Sequence, residues 1–334
     1  MNLKRVFGVI AVLCLSALVA LSQTPGYRIS APYSHKNLTI YLIHGKNETS
    51  KTNILTLQEA MDKGILRVYE TSEVNELSVE NISKQFDVFI QSGDIVKGGK
   101  QDRVLAVSII IAARSGRIKI DSFCVESGRW EKRGNENAGQ FSSSNDRIVS
   151  KELKLAANGT RSQTDVWNKV SEAQTKLGRN LGAPIVSSQS SSSLQLSLEN
   201  GKVAATADEY VKALGNLVEG KSDVIGYAFA VNGELNSADI YVSNALFKKL
   251  WPRMLKAAAV EAVAEKSVRT VAAAPAKPTA VQEFLADADS ARGEERAVSG
   301  GTRIVTRDQK DKAVYEARDE KSKTVVHRAY VKKH

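Results

Sequence analysis

Apolar positions along the chain follow two periods, and the places where each period holds predict the elements. Leu38-Thr39-Ile40-Tyr41-Leu42-Ile43 is strand-like. Thr56-Leu57-Gln58-Glu59 is a capping box that opens a short helix: the Thr56 hydroxyl accepts from the Glu59 amide while the Glu59 carboxylate reaches back, and Gly64 is placed to end it. Leu77 and Val79 alternate with polar neighbours, Phe86 to Ile90 and Val104 to Ala112 are apolar runs, and Ile118 and Ile120 alternate toward Phe123. So many strands in close succession predict an antiparallel sheet. After Ser162, a cap with Asp165 three residues on, Val166, Val170, Ala173 and Leu177 take helical spacing, with Gly178 as the stop. Beyond the serine-rich loop from Ser187 to Ser193, Leu194, Leu196 and Leu198 alternate as a strand, and Thr206 caps a helix burying Val211, Leu214 and Leu217. The clearest local signal is a hairpin: Ile225, Tyr227, Phe229 and Val231 alternate up to Asn232-Gly233, and Ile240 and Val242 alternate after it. A helix from about Asn244 to Ala264 follows, with Phe247, Leu250, Met254, Leu255 and Ala258 on one face.

The pattern changes at Lys266, where alanine, proline and charge take over and Pro275 and Pro278 mark a linker. Past Gly300-Gly301, three short segments (Thr302 to Thr306, Ala313 to Ala317, Thr324 to Val331) carry Val, Ile and Tyr between charged turns. They read either as a small β-meander, an added hairpin resting on the body, or as a mostly disordered tail, since isolated two- or three-stranded units are marginal. The expected fold class is therefore α+β: a mostly antiparallel sheet with several packed helices, plus a small β-rich or disordered C-terminal extension. The expected divisions are a signal peptide at 1–22, a lead-in at 23–37, the α+β body at 38–265, a linker at 266–300 and a basic extension at 301–334.

Residues 1–22 have the form of a secretory signal, with Lys4 and Arg5 ahead of an apolar run from Val6 to Leu21 and small residues around Ser22. Cleavage near Ser22/Gln23 predicts a secreted or periplasmic protein. The alternative is an uncleaved membrane anchor, for which a run of roughly 15 apolar residues is short of the ~20 that a span needs. Cleavage would leave Cys124 as the only thiol and no intramolecular disulfide. The composition, 42% hydrophobic and 25% charged, excludes collagenous, mucin-like and wholly disordered classes. The formal charge is +10, but 37 acidic residues are interspersed among 47 basic ones, so no sequence-specific nucleic-acid binding is expected.

The densest polar stretch is Gly93 to Arg103. Within it Gly98-Gly99 permits a sharp turn, and Lys97, Lys100 and Arg103 surround the turn with donors suited to a phosphate or carboxylate, with Gln101 and Asp102 beside them. It is not a P-loop, because Gly99 separates Gly98 from Lys100 and Gln101 follows. In Phe123-Cys124-Val125-Glu126-Ser127-Gly128-Arg129-Trp130, Cys124 and Glu126 share one face of a strand. A thiolate beside a carboxylate is disfavoured, so a buried cysteine with a Glu126–Arg129 ion pair is the favoured reading over a nucleophilic Cys124. His35, His44, His327 and His334 lack metal-ligand spacing, and no cofactor is suggested. No Ser-His-Asp order, Gly-x-Ser-x-Gly elbow or dinucleotide fingerprint is recognisable, which disfavours the common hydrolase and Rossmann classes.

Thr56-Leu57-Gln58-Glu59-Ala60 with Gly64, Val74-Asn75-Glu76-Leu77, Gly98-Gly99-Lys100-Gln101-Asp102-Arg103, Phe123 through Trp130, and Val166-Trp167 together resemble the ARPP-type domain. That family is named for its association with ADP-ribosylglycohydrolase and rhodanese-phosphatase proteins, and the likeness runs from about Leu38 to Ala264, leaving the C-terminal extension outside. By association, it implies processing of ADP-ribose or NAD-derived nucleotides. Two functions follow. In one, Lys100 and Arg103 hold the anionic group of a phosphorylated small molecule, Gln101 and Asp102 its polar edge, Trp130 stacks on a ring and Glu126 is the general acid or base. In the other, the same motifs form an internal salt-bridge network joining sheet to helix, and the basic extension touches an anionic envelope surface or a protein partner.

Overall fold

The computed structural model describes residues 26–266 and 274–334, so the signal reading of residues 1–22 lies outside the described residues. Within these, no helix is long and apolar enough to cross a membrane. The strands are β1 (Arg28–Ile29), β2 (Tyr33–His35), β3 (Leu38–His44), β4 (Ile54–Thr56), β5 (Leu66–Glu70), β6 (Glu76–Asn81), β7 (Asp87–Ile90), β8 (Asp94–Gly98), β9 (Arg103–Leu105), β10 (Ile109–Ile111), β11 (Gly116–Cys124), β12 (Phe141–Arg147), β13 (Val224–Val231), β14 (Glu234–Tyr241), β15 (Glu294–Val298), β16 (Thr302–Asp308), β17 (Lys312–Asp319) and β18 (Val325–Lys332). The helices are α1 (Leu57–Asp62), α2 (Lys151–Leu155), α3 (Gln163–Leu181), α4 (Leu194–Leu198), α5 (Gly201–Leu214), α6 (Asn244–Ala264) and α7 (Pro278–Ser290).

Alternation in β13 places Tyr227, Phe229 and Val231 on one face and Ala228 and Ala230 on the other, and both faces are buried. This strand lies inside a nine-stranded sheet ordered β1-β3-β13-β14-β18-β17-β16-β15, with β2 also paired to β3. On the first face α6 packs Phe247 and Trp251 against Tyr227, and the Trp251 indole donates to Gly215 O at 2.7 Å. On the second face α7 contributes Val281, Phe284, Leu285 and Ala288, packed with Tyr41, Ala228, Val314 and Tyr330. A six-stranded sheet ordered β12-β8-β9-β11-β6-β5 nearly closes on itself, because Tyr69 bridges to Gln140 and the Glu70 amide donates to Gly139 O at 3.1 Å. Leu66, Val68, Leu77, Val79, Val96 and Phe141 belong to the second core, which this curled sheet shares with α1 and a three-stranded sheet, β10-β7-β4. The β4–β7 pair is parallel, an exception among antiparallel neighbours.

The capping box at Thr56, the Asn232-Gly233 hairpin and the 244–264 helix form as the sequence predicts. Five expectations change. Leu194 to Leu198 is helix α4 and not a strand: Ser193 caps it by accepting from the Leu196 amide, and Leu194 and Leu198, one helical turn apart, are both buried. Thr206 lies inside α5, which starts instead at an Asn200 cap. Helix α3 passes Gly178 and ends at Gly182, whose φ of +59° suits the left-handed cap. The apolar run from Val104 to Ala112 is two strands in different sheets, β9 and β10, parted by Ala106-Val107-Ser108. Finally, the expected linker holds α7 and β15, and of the two readings of the C-terminal segments the β-meander holds and the tail does not. β18 pairs with β14 over Ser237 to Tyr241, so the meander continues the main sheet, and its marginal apolar content suffices because α7 and the body cover its two faces.

Candidate functional site

The motifs singled out in the sequence meet at one buried junction. Gly98 and Gly99 turn the chain with φ of +106° and +57°, and a Cβ on Gly99 would lie 2.3 Å from Phe141 Cζ. Asp102 closes the turn, its Oδ1 accepting from the Gly98 amide at 3.0 Å, and also accepts from Arg133 at 3.0 and 3.2 Å and from Ser193 Oγ at 3.1 Å. Glu126 accepts from Arg129 Nε at 2.8 Å and Nη2 at 2.6 Å, a two-pronged pair, and from the Asp102 amide at 3.4 Å. The Trp167 indole donates to Glu126 O at 3.0 Å, tying α3 to the end of β11. Arg103, fully buried, turns inward: it donates to Cys124 Sγ at 2.8 Å and to Val74 O, and lies 3.4 Å from Glu70.

Burial pushes the Cys124 thiol up to about 11, opposed in part by Arg103. Burial also acts to raise Glu126, but the hydrogen bonds and charge of Arg129 outweigh it and hold the carboxyl below its usual range. Glu126 is thus a fixed carboxylate, poorly suited to donate a proton. Lys97 leaves the cluster to pair with Glu199 at 2.8 Å, and Lys100 Nζ lies 5.1 Å from the centre of the half-exposed Trp130 ring, with Arg103 Cζ at 5.4 Å. Gln101 is buried beside them. The three guanidiniums of Arg103, Arg129 and Arg133 therefore face the four carboxylates of Glu70, Asp102, Glu126 and Glu136, and an incoming anion meets no guanidinium that lacks a carboxylate. Arg133, Glu136 and Glu70 were not apparent as partners in the sequence, since nothing local announces which carboxylate a loop arginine will meet.

A second polar site has no counterpart among the sequence motifs. Register aligns Asp239, Ala329, Tyr315 and Thr306 across β14, β18, β17 and β16, and Tyr241, His327, Ala317 and Ile304 in the next row. Paired residues point to the same face, and the two alanines leave space there. The result is a cavity of about 280 Å³ between this face and the body, walled by Ser92, Ser108, Arg147, Lys154 and Asn158. His327 Nε2 lies 2.9 Å from Asp239 Oδ1 and its Nδ1 lies 2.9 Å from Ser108 Oγ. The ring is held by Tyr241, stacked at 4.8 Å, and by the edge of Phe89 at 6.0 Å. Burial acts to raise Asp239, but His327, Lys154 and Arg147 outweigh it and hold the carboxyl below its usual range. Neither Arg147 nor Lys154 has a carboxylate within ion-pair distance among the described residues. Arg147 donates instead to Ser92 O at 2.6 Å, and Lys154 to Ser237 Oγ at 3.3 Å.

Residues 26–331 match the profile of ARPP-1, the ARG and Rhodanese-Phosphatase-superfamily-associated Protein domain. The chain belongs to the ARPP-1 family. A comparison with curated proteins finds no match, and neither does one with solved structures. The ARPP-1 match extends past the 38–264 stretch that carries the sequence resemblance and takes in β15 to β17 and most of β18, in keeping with a sheet that these strands complete. The ARPP-1 chain therefore presents two polar centres: a junction built by its distinctive motifs, whose three guanidiniums are each paired with a carboxylate, and an open cavity completed by its C-terminal strands.

Proposed function

We propose that this ARPP-1 protein binds a small phosphate-bearing molecule in the cavity beneath β16 to β18, and that the junction around Asp102 and Glu126 is a structural network. The observation that carries the first part is the pair of cations, Arg147 and Lys154, which line the cavity with no carboxylate within ion-pair distance among the described residues, the carboxylates Asp239, Glu294 and Glu295 lining it farther from them. Their charge already acts on Asp239, but each makes its hydrogen bonds to neutral groups and so retains attraction for a further anion, which the low local dielectric strengthens. The saturation of Arg103, Arg129 and Arg133 supports the second part. Export by the 1–22 segment belongs to this same reading, and fractionation of cells expressing the full chain tests it: the mature protein is expected outside the cytoplasm.

The binding test is a thermal-shift titration of the folded protein with inorganic phosphate, a sugar phosphate, AMP and ADP-ribose, since a ligand of the native state raises stability by mass action. At least one probe is expected to raise the melting temperature of the wild type and to do so much less in Lys154→Met, a change at a half-exposed position. No shift with any probe, or equal shifts in both proteins, would overturn it.

A further inference from the structure

We propose that Ser108 is a nucleophile, activated by His327 and oriented through Asp239, and that the cavity hydrolyses an O-acyl ester whose alcohol half carries a phosphate. The substrate class rests on the anion-binding reading above; the nucleophile rests on geometry of its own. Asp239 is ionised and can only accept, so the proton on the ring sits at Nε2, 2.9 Å away, and Nδ1 is left as an acceptor. The group facing Nδ1 is the Ser108 hydroxyl, again at 2.9 Å. One lone pair of Ser108 Oγ already accepts from the Ser92 amide at 3.0 Å, which turns the hydroxyl hydrogen toward the ring. Serine, base and carboxylate thus form a continuous line in which each group fixes the next, the arrangement that activates a weak nucleophile. All three side chains border the same cavity, together with Arg147 and Lys154.

The position of Ser108 suits the role. It stands in the short break between β9 and β10, where the chain leaves one sheet for another, and it lines the cavity as a buried residue, 5% exposed. Rotation of the imidazole is blocked by Tyr241 and Phe89, and Gln91 Nε2, which donates to Tyr241 at 2.8 Å, lies 3.4 Å from Asp239 Oδ1. A histidine that only filled space would need one such partner; this one has both nitrogens committed in the sense that base catalysis requires.

The balanced steps are as follows. Ser108 Oγ attacks the acyl carbonyl carbon while its proton passes to His327 Nδ1, and Asp239 stabilises the imidazolium. The carbon–oxygen bond to the alcohol breaks, and His327 returns the proton to the departing alkoxide. The acyl group is then held as an ester on Ser108. Water, losing its proton to His327, attacks that ester and releases a carboxylic acid and regenerated serine. Water is the one co-reactant, and no change of oxidation state occurs. Arg147 and Lys154 hold the phosphate and add positive potential where the oxyanion forms.

The test is covalent labelling of the full chain with a short alkyl fluorophosphonate, followed by peptide mass spectrometry. An adduct on Ser108 is expected, absent in Ser108→Ala and formed at least ~100-fold more slowly in His327→Gln. Asp239 is a positioning residue, so Asp239→Asn is expected to slow labelling and Asp239→Glu to restore part of the rate, a rescue that a purely structural carboxylate would not give. Melting curves confirm that each variant is folded, and phosphate-probe binding is read on the same samples. Folded wild type that binds a phosphate probe but gives no Ser108 adduct would overturn the nucleophile and leave the binding site standing. Labelling at the same rate in folded His327→Gln would overturn it too. A Ser108 adduct without any phosphate binding would support the nucleophile and refute the substrate class.

Discussion

Replacing Glu126 with alanine strips the Arg129 fork of its acceptor and leaves two guanidiniums, each about nine-tenths buried, beside Asp102, with Glu136 still paired to Arg133. Breaking a buried pair by removing one partner costs about 3–5 kcal/mol, because the remaining charge stays desolvated. Arg129 and Arg133 keep some contact with water, 11% and 10% of their side-chain surface, which places the cost toward the lower end. At about 2 °C per kcal/mol for a chain of this size, the melting temperature is expected to fall by roughly 6 °C. The decisive measurement is a double-mutant cycle by denaturant titration with Glu126→Leu, Arg129→Met and both together. Apolar groups replacing a whole buried pair are often tolerated, so the double variant is expected to be more stable than the sum of the single losses predicts, by about 1–3 kcal/mol. Single variants that melt with the wild type, or losses that simply add, would refute the structural reading of this network.

Four further outcomes follow from the same geometry. Because Glu126 is held below its ordinary range, its contribution is fully present above the carboxylate range and is lost as pH falls through the lowered value. The wild type should therefore lose more melting temperature than Glu126→Gln between about pH 6 and about pH 3. Cys124, buried with its thiol pushed up to about 11, is expected to resist iodoacetamide in the native protein at about pH 8 and to react once denatured, as mass spectrometry would show. Gly99→Ala must accommodate both a positive φ and a Cβ placed 2.3 Å from Phe141 and 2.9 Å from Glu70 Oε2, so urea denaturation should report a loss of at least about 1–2 kcal/mol. Deletion of residues 301–334 bares the edge of β14 and removes Tyr330 and Val314 from the α7 core; the truncated chain is expected to be aggregated or readily proteolysed, not an intact body without an appendage.

Local signals carried much of the fold. The hairpin at Asn232-Gly233 and the caps at Thr56 and Ser162 depend on residues a few positions apart, and a single sequence contains them whole. The charged junction was legible in part for the same reason: Glu126 and Arg129 are three residues apart, and Asp102 reaches back to the turn that precedes it. Arg133 completes the network from a loop whose path depends on the tertiary fold. Leu194 to Leu198 misled because five residues with apolar positions at every second place also put the first and fifth on one side of a helix, and the Ser193 cap decides between them. The cavity was not legible at all. Ser108 and His327 are 219 positions apart and Asp239 is 88 from the histidine, and they meet only because β18 chooses β14 as its neighbour, a choice that alternation along either strand does not encode.

β18 follows β9 and β14 by a long stretch of chain, and it delivers His327. Until that strand docks, Ser108 and Asp239 lie on elements already made but without the imidazole between them. The proposed serine, histidine and carboxylate line is thus incomplete in any chain that stops before β18, and forms only once β18 has paired with β14.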